Sequence, residues 1–260
     1  MKLTIIGSSG SMCGPDSPAS CYLLQAPHAG RTYSAVFDMG PGGNGGLLKY
    51  LDPVELDFIG ISHCHADHMV DLIGHQVYRK WHPEGHLPRT RLWGPSNLTQ
   101  RMLGVSGDTD VSDYSAEFEL GQWQVGQTIE AGPFRITAFR AEHPVEAYSL
   151  RVEGPSVDPA RASAVFTYTG DTDRCEGVLA AAAGADLLLS EAAFLERHGI
   201  GPGVHLTGKR AGELATDAAA KHLVLTHIQP WTDKQETAGE ARATYAGPIS
   251  VALPGDTFEF

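Results

Sequence analysis

Three imidazoles and a carboxylate crowd into six residues at His63-Cys64-His65-Ala66-Asp67-His68, directly behind the apolar run Leu56-Asp57-Phe58-Ile59-Gly60-Ile61. That run reads as a short buried strand. His63 and His65 are two apart, so extended backbone projects both to one side. Asp67 and His68 fall where a helix should begin, with Met69, Leu72, Ile73 and Val77 supplying apolar residues at helical spacing. A strand-end pair and a helix-start pair would face one pocket from two directions. Neutral imidazole and carboxylate are donors that Zn²⁺, Mn²⁺ and Fe²⁺ share. A solvated turn has no use for the pattern H-x-H-x-D-H, so the chain must fold to present a metal site at the end of a strand.

The flanking sequence supplies the scaffold. Strands are expected at Leu3 to Ile6, Cys21 to Gln25 and Ser34 to Phe37, separated by stretches of glycine, proline and serine. The run Gly42-Gly43-Asn44-Gly45-Gly46 lacks the lysine and the spacing of a phosphate loop. It reads as a tight connection into a short helix beginning at Leu47. A helix is expected from about Met69 to Trp81, a strand at Arg91 to Trp93 and a helix near Asn97 to Leu103. The acidic, turn-rich stretch Ser106 to Ser115 reads as a surface or lid loop. Strand texture follows at Thr128 to Glu130, Phe134 to Phe139, Tyr148 to Val152 and Ala164 to Tyr168. Strand–helix alternation then returns, with strands at Asp186 to Leu189 and His222 to Thr226 and helices at Gly208 to Ala220 and Lys234 to Tyr245. Ile249 to Leu253 and Phe258 to Phe260 close the chain. No linker-like composition divides it. One domain over residues 1–260 is expected, an α/β four-layer αβ/βα sandwich with two β-sheets face to face and helices outside.

Charge narrows the partners. With 31 acidic and 19 basic residues the net charge is -12, which argues against capture of long nucleic acid or an anionic membrane. A small phosphorylated substrate is still compatible, because bound divalent cations reverse the local field. Cys13, Cys21, Cys64 and Cys175 form no C-x-x-C pair, and Met1 to Ile6 looks like a first strand rather than a secretory segment. Reduced thiols in a cytoplasmic protein are the expectation. Nothing approaches the ~20 apolar residues that a membrane span needs.

The histidine cluster alone is short of donors for two metals. Three further positions stand at the ends of apolar strands: His143 in Glu142-His143-Pro144, Asp171 in Gly170-Asp171-Thr172, and His227 after Leu223-Val224-Leu225-Thr226. Alone, His143 would more often be a surface histidine and Asp171 a turn former or helix cap. Together with the cluster they read as completing ligands. Cys64 reads as a buried thiol between ligands, and His75, His82 and His86 as surface or supporting histidines.

The sequence H-x-H-x-D-H, a later His, a later Gly-Asp-Thr and a last His resembles the metallo-β-lactamase superfamily over essentially the whole chain. Asp38 in Asp38-Met39-Gly40 resembles that superfamily's early Asp-x-Gly, a buried support for the metal loops. The resemblance implies one metal held by His63, His65 and His143, a second by Asp67, His68 and His227, and Asp171 bridging both. Zinc is the first expectation, with manganese or iron as alternatives. Ser190-Glu191-Ala192-Ala193 and His205-Leu206-Thr207 resemble the ribonuclease Z-like branch, where a glutamate bonds a histidine facing the leaving group. Here that pair would be Glu191 and His205.

Ribonuclease Z carries a long arm that grips tRNA, whereas only Glu153 to Ser163 separate the corresponding strands here. The chain is similar to small arm-less relatives, some of which hydrolyse cyclic nucleotides. The resemblance therefore implies a dinuclear phosphodiesterase acting on a small nucleotide, a 3′,5′-cyclic nucleotide first. Solvent held between two cations would attack phosphorus, Asp67 would orient it, and His205 would protonate the leaving oxygen. Tyr78, Trp81 and Trp231 are candidates to stack on a base. The alternatives are a ribonuclease Z-like endonuclease working on RNA 3′ ends, or a hydrolase of another ester such as a lactone, thioester or sulfate. A homodimer is expected from the branch alone.

Overall fold

The computed structural model describes residues 1–85, 87–107, 114–199 and 201–260. Its first strands are β1 (Lys2–Gly7), β2 (Cys21–His28), β3 (Arg31–Phe37), β4 (Phe58–Gly60), β5 (Thr90–Gly94) and β6 (Phe118–Gln122). The later ones are β7 (Thr128–Ala131), β8 (Phe134–Arg140), β9 (Tyr148–Pro155), β10 (Ser163–Tyr168), β11 (Leu187–Glu191), β12 (Leu223–Thr226), β13 (Ile249–Val251) and β14 (Thr257–Glu259). They form two seven-stranded sheets, ordered β14-β1-β2-β3-β4-β5-β6 and β13-β12-β11-β10-β9-β8-β7. In each, antiparallel strands joined by hairpins give way to parallel strands that need helical crossovers: β3 to β6 in the first sheet and β10 to β13 in the second.

Side-chain alternation decides which face each sheet buries. Along β2, Tyr22 and Leu24 enter the core between the sheets, whereas Cys21 and Leu23 point outward under the helices. On β3, Ala35 and Phe37 go inward and Val36 outward. The inner faces meet through Leu3, Ile5 and Phe37 on one side and Ile136, Leu150, Phe166 and Leu189 on the other. Fully burying each large side chain contributes about 1.5–3 kcal/mol.

Helices α1 (Gly43–Leu47), α2 (Ala66–Met69), α3 (Leu72–Lys80) and α4 (Leu98–Ser106) cover the outside of the first sheet, contributing Leu47, Met69, Leu72, Leu98 and Met102 to its apolar cluster. Helices α5 (Glu176–Ala182), α6 (Gly208–Asp217) and α7 (Lys234–Arg242) cover the second with Val178, Ala211, Leu214, Ala215 and Ala241. The four-layer αβ/βα sandwich is therefore present. No described helix is long and apolar enough to cross a membrane.

Three expectations change. The glycine-rich stretch is itself the helix α1, ending at Leu47 where the helix was expected to begin. The strand before the histidines shrinks to β4, and beyond it His63 keeps an isolated antiparallel bridge to Ala147 while His65 is extended at the start of α2. Helix α3 buries Leu72 as expected but adds His75, Gln76 and Arg79 to its inward face, while Val77 is exposed. His75 is thus no surface residue. Its ring stacks on Phe118 at 6.1 Å, with Nδ1 3.4 Å from Asn44 Oδ1. The Arg79 guanidinium supplies the reason for the wider inward face, donating to the carbonyls of Pro53 and Pro88 beneath the helix. Most of the stretch that reads as a lid, residues 108–113, lies outside the described residues, as does His86.

Candidate metal centre

Loop ends of both sheets converge at one rim. The β4–α2 loop brings His63, His65, Asp67 and His68; the ends of β8, β10 and β12 bring His143, Asp171 and His227. Their donor atoms gather into two overlapping groups, His63/His65/His143/Asp171 and Asp67/His68/Asp171/His227, each within 4.8 Å. Asp171 belongs to both. In the first group His65 Nδ1 lies 3.0 Å from His63 Nε2 and 3.1 Å from His143 Nε2. In the second, Asp171 Oδ2 lies 3.3 Å from both His68 Nε2 and His227 Nε2, and Asp67 Oδ2 stands 3.4 Å from His68 Nε2.

For His63, His68, His143 and His227 the far ring nitrogen has a partner of its own. Buried Asp38 accepts from Ser62 N–H and Ser62 Oγ–H, both at 2.7 Å, from His68 Nδ1–H at 2.7 Å and from Tyr168 Oη–H at 2.6 Å. Because the Ser62 hydroxyl spends its proton on Asp38, it accepts from His63 Nδ1–H at 3.1 Å, leaving His63 Nε2 as a lone pair. The Val204 carbonyl does the same for His143 Nδ1–H at 2.8 Å. Ser20 Oγ stands 3.1 Å from His227 Nδ1. Asp67 is steadied by the Ser11 N–H at 2.9 Å.

Two glycines are required by close approach. A Cβ on Gly40 would come within 1.9 Å of the Asp67 carbonyl, which explains the Asp38-Met39-Gly40 spacing. Gly170 holds φ +59°, and its Cβ would press to 2.8 Å from the Tyr148 carbonyl, so Asp171 is delivered by a turn that other residues resist.

Electrostatics favour the same reading. Burial lowers the pKa of His63, His65 and His227, keeping them neutral donors. Asp171 is fully buried, which alone would raise it, yet the imidazoles of His227, His68 and His63 around it hold it well below the usual carboxylate range. His68 is pushed upward in spite of burial by Asp171, Asp67 and Asp38, a position a bound cation would take over from a proton. Asp171 Oδ1, His68 Nε2 and His227 Nε2 are buried without a hydrogen-bond partner. Such stranded polar atoms cost about 1–3 kcal/mol each unless something satisfies them. The donor set, its tautomers and these stranded atoms fit divalent cations. Cys64 belongs to neither donor group, and burial pushes its thiol up to about 12.

A third group adjoins them. Glu191, wholly buried at the end of β11, accepts His205 Nδ1–H at 2.9 Å and Thr172 N–H at 2.8 Å, and His205 Nδ1 stands 3.8 Å from Asp171 Oδ2. Burial opposes charge on His205, but Glu191 and then Asp171 outweigh it and raise the imidazole to about 9. Asp173 anchors the loop that carries His205, accepting Gly203 N–H at 2.8 Å and facing Arg210 at 3.3 Å. Sequence reasoning passed over Asp173, Ser20 and Tyr168. Only Asp173 carried a signal, two residues beyond Asp171. Of the stacking candidates, the Tyr78 hydroxyl donates to Asp52, while Trp81, beside Lys80, and Trp231 are exposed.

Residues 35–228 match the Beta-lactamase superfamily domain. An uncharacterized protein of Mycobacterium leprae (strain TN) is 37% identical across 100% of this chain and 88% of its own length. The crystal structure of the metallo-beta-lactamase fold protein YhfI from Bacillus subtilis is similar with a TM-score of 0.84 and 26% identity, covering 99% of this chain and 98% of that one. Ribonuclease Z of Myxococcus xanthus (strain DK1622) is 27% identical over 100% of this chain and 97% of its own. The chain belongs to the beta-lactamase superfamily and is a metal-dependent hydrolase.

Proposed function

We propose that this superfamily member hydrolyses the phosphodiester of a small nucleotide, a 3′,5′-cyclic nucleotide first. The observation that carries the reading is the Glu191–His205 pair set against Asp171. In this reading His63, His65 and His143 hold one cation, Asp67, His68 and His227 the other, and Asp171 lies between them. Two bound cations would supply Lewis acidity toward the phosphate oxygens and an acidified water for in-line attack.

The chain's own residues do the rest. Asp67, fixed by the Ser11 N–H, accepts a hydrogen bond from the attacking water and sets its direction. Glu191 occupies His205 Nδ1–H, so Nε2–H is the donor left for the departing ribose oxygen. A histidine raised to about 9 carries that proton at neutral pH. A thioester releases a thiolate, which leaves without such an acid, and this sets thioesters behind phosphodiesters.

A ribonuclease Z-like reading shares the chemistry, and the identity to ribonuclease Z favours it as the second choice. Against it, β9 and β10 are joined by residues 156–162 alone, with no room for a tRNA-gripping arm, and the net charge is -12. The test is hydrolysis of 3′,5′-cyclic AMP by protein loaded with Zn²⁺ or Mn²⁺, with Asp171→Ala as the blank. Turnover that disappears in the blank supports the reading. Cleavage of pre-tRNA without cyclic-nucleotide turnover would replace it with the second.

A further inference from the structure

Against the His65 side of the metal centre lies a cavity of about 640 Å³, walled by one face of α4 and by the start of α2. Asn97, Gln100, Arg101 and Val105 line it from α4 at three- and four-residue spacing, while Leu98 and Met102 turn the other way into the core. Met69 and His65 close the opposite side. The volume falls within the ~300–1,000 Å³ of sites that enclose small ligands.

Its polar groups are unspent. Asn97 stands at the N-cap of α4 yet its side chain caps nothing, and its Oδ1 is buried with no partner. Arg101 is exposed and makes no hydrogen bond or ion pair among the described residues, in a chain with 31 acidic side chains against 19 basic ones. A side-chain amide matches the N6/N7 edge of adenine and an arginine the O6/N7 edge of guanine, while Met69 and Val105 suit a flat apolar face.

Resting on the phosphodiesterase reading above, we propose that this cavity holds the purine base of the substrate nucleotide. Asn97 and Gln100 read its hydrogen-bonding edge, and Arg101 contacts the ring face or its carbonyl. Gln100 and Arg101 then decide which nucleotide is cleaved, and the metal centre decides only that a phosphodiester is.

Gln100→Ala and Arg101→Ala in the metal-loaded protein test this with two substrates, 3′,5′-cyclic AMP and the base-free diester bis(p-nitrophenyl) phosphate. Each substitution is expected to lower kcat/KM for the cyclic nucleotide about tenfold more than for the base-free diester, mainly through KM. It should also raise, by a similar factor, the constant for adenosine 5′-monophosphate inhibition of base-free turnover. Equal losses on both substrates, or none on either, would overturn the assignment. If wild-type protein cleaves only the base-free diester, the cyclic-nucleotide reading fails and the inhibition arm alone decides. A raised constant in the variants keeps the purine cavity, and an unchanged one removes it.

Discussion

The two halves of the chain bring donors to the same rim by different means. In the first half, four donors sit within six residues, and one buried carboxylate, Asp38, organises the stretch through Ser62, His68 and Tyr168. In the second half each donor stands at the end of a separate strand and has its own support. His143 rests on the Val204 carbonyl, His227 on Ser20, and Asp171 on the Gly170 turn. The first arrangement is local and concentrated; the second is assembled by sheet register and distributed. Damage to a concentrated support should spread, whereas damage to a distributed one should stay where it is made.

Asp171→Ala strikes the one residue both donor groups share, so its effect should be the largest. Turnover is expected to fall by about 10⁴-fold or more, with bound metal dropping by at least one per chain on elemental analysis. Full metal content would separate Asp171 from the centre. His205→Ala comes next and divides chemistry from binding. Two metals should be retained while kcat drops about 10²–10⁴-fold, and unchanged turnover would remove the proton-donor role. Glu191→Gln should bring a smaller loss and shift the alkaline limb of the pH–rate profile downward, because the charge that lifts His205 to about 9 is gone.

The comparison itself is tested by the supports. Asp38→Asn keeps the shape but cannot accept all four hydrogen bonds now made to the carboxylate. Metal affinity, read by chelator competition, should fall about 10–100-fold. Ser20→Ala removes the partner of His227 alone and should sit at or below the lower end of that range. Equal effects would mean that the concentrated support is no more central than the distributed one.

This same division explains what the sequence revealed. The strands were legible as apolar runs such as Cys21 to Leu24 bounded by glycine, proline and serine, whereas which of their residues face the inner core and which the helices comes from the structure. That His143, Asp171 and His227 converge was legible only as a pattern of strand ends; the distances come from register, which the sequence does not print. Asp173 escaped because its work is to hold the Gly203 amide thirty residues onward. Val204 escaped because a backbone carbonyl has no residue signature. Helix α3 was misread for an opposite reason. Leu72 and Ile73 do pack on the core, but the buried face extends onto His75, Gln76 and Arg79, two of which find amide and carbonyl partners beneath the helix, and Val77 is left to solvent.

That buried polar stripe makes the smallest prediction, and one independent of the metal. His75 is fully buried, with Arg79 one turn away; burial first, and the guanidinium second, lower its imidazole to about 3. Above about pH 6.5 the folded and unfolded chains both hold it neutral, and the contribution to stability is complete. As pH falls from there toward about 3, the unfolded chain takes a proton that the folded chain refuses, so stability is lost on acidification. Between about pH 7 and pH 5 the loss should reach about 2 kcal/mol. Urea unfolding of wild type and His75→Gln at both pH values isolates it, since every other group titrates alike in the two proteins. The wild type should lose about 2 kcal/mol more than the variant. Parallel losses would mean that His75 takes up its proton inside the folded helix face, and that the stripe is wetter than its packing against Phe118 implies.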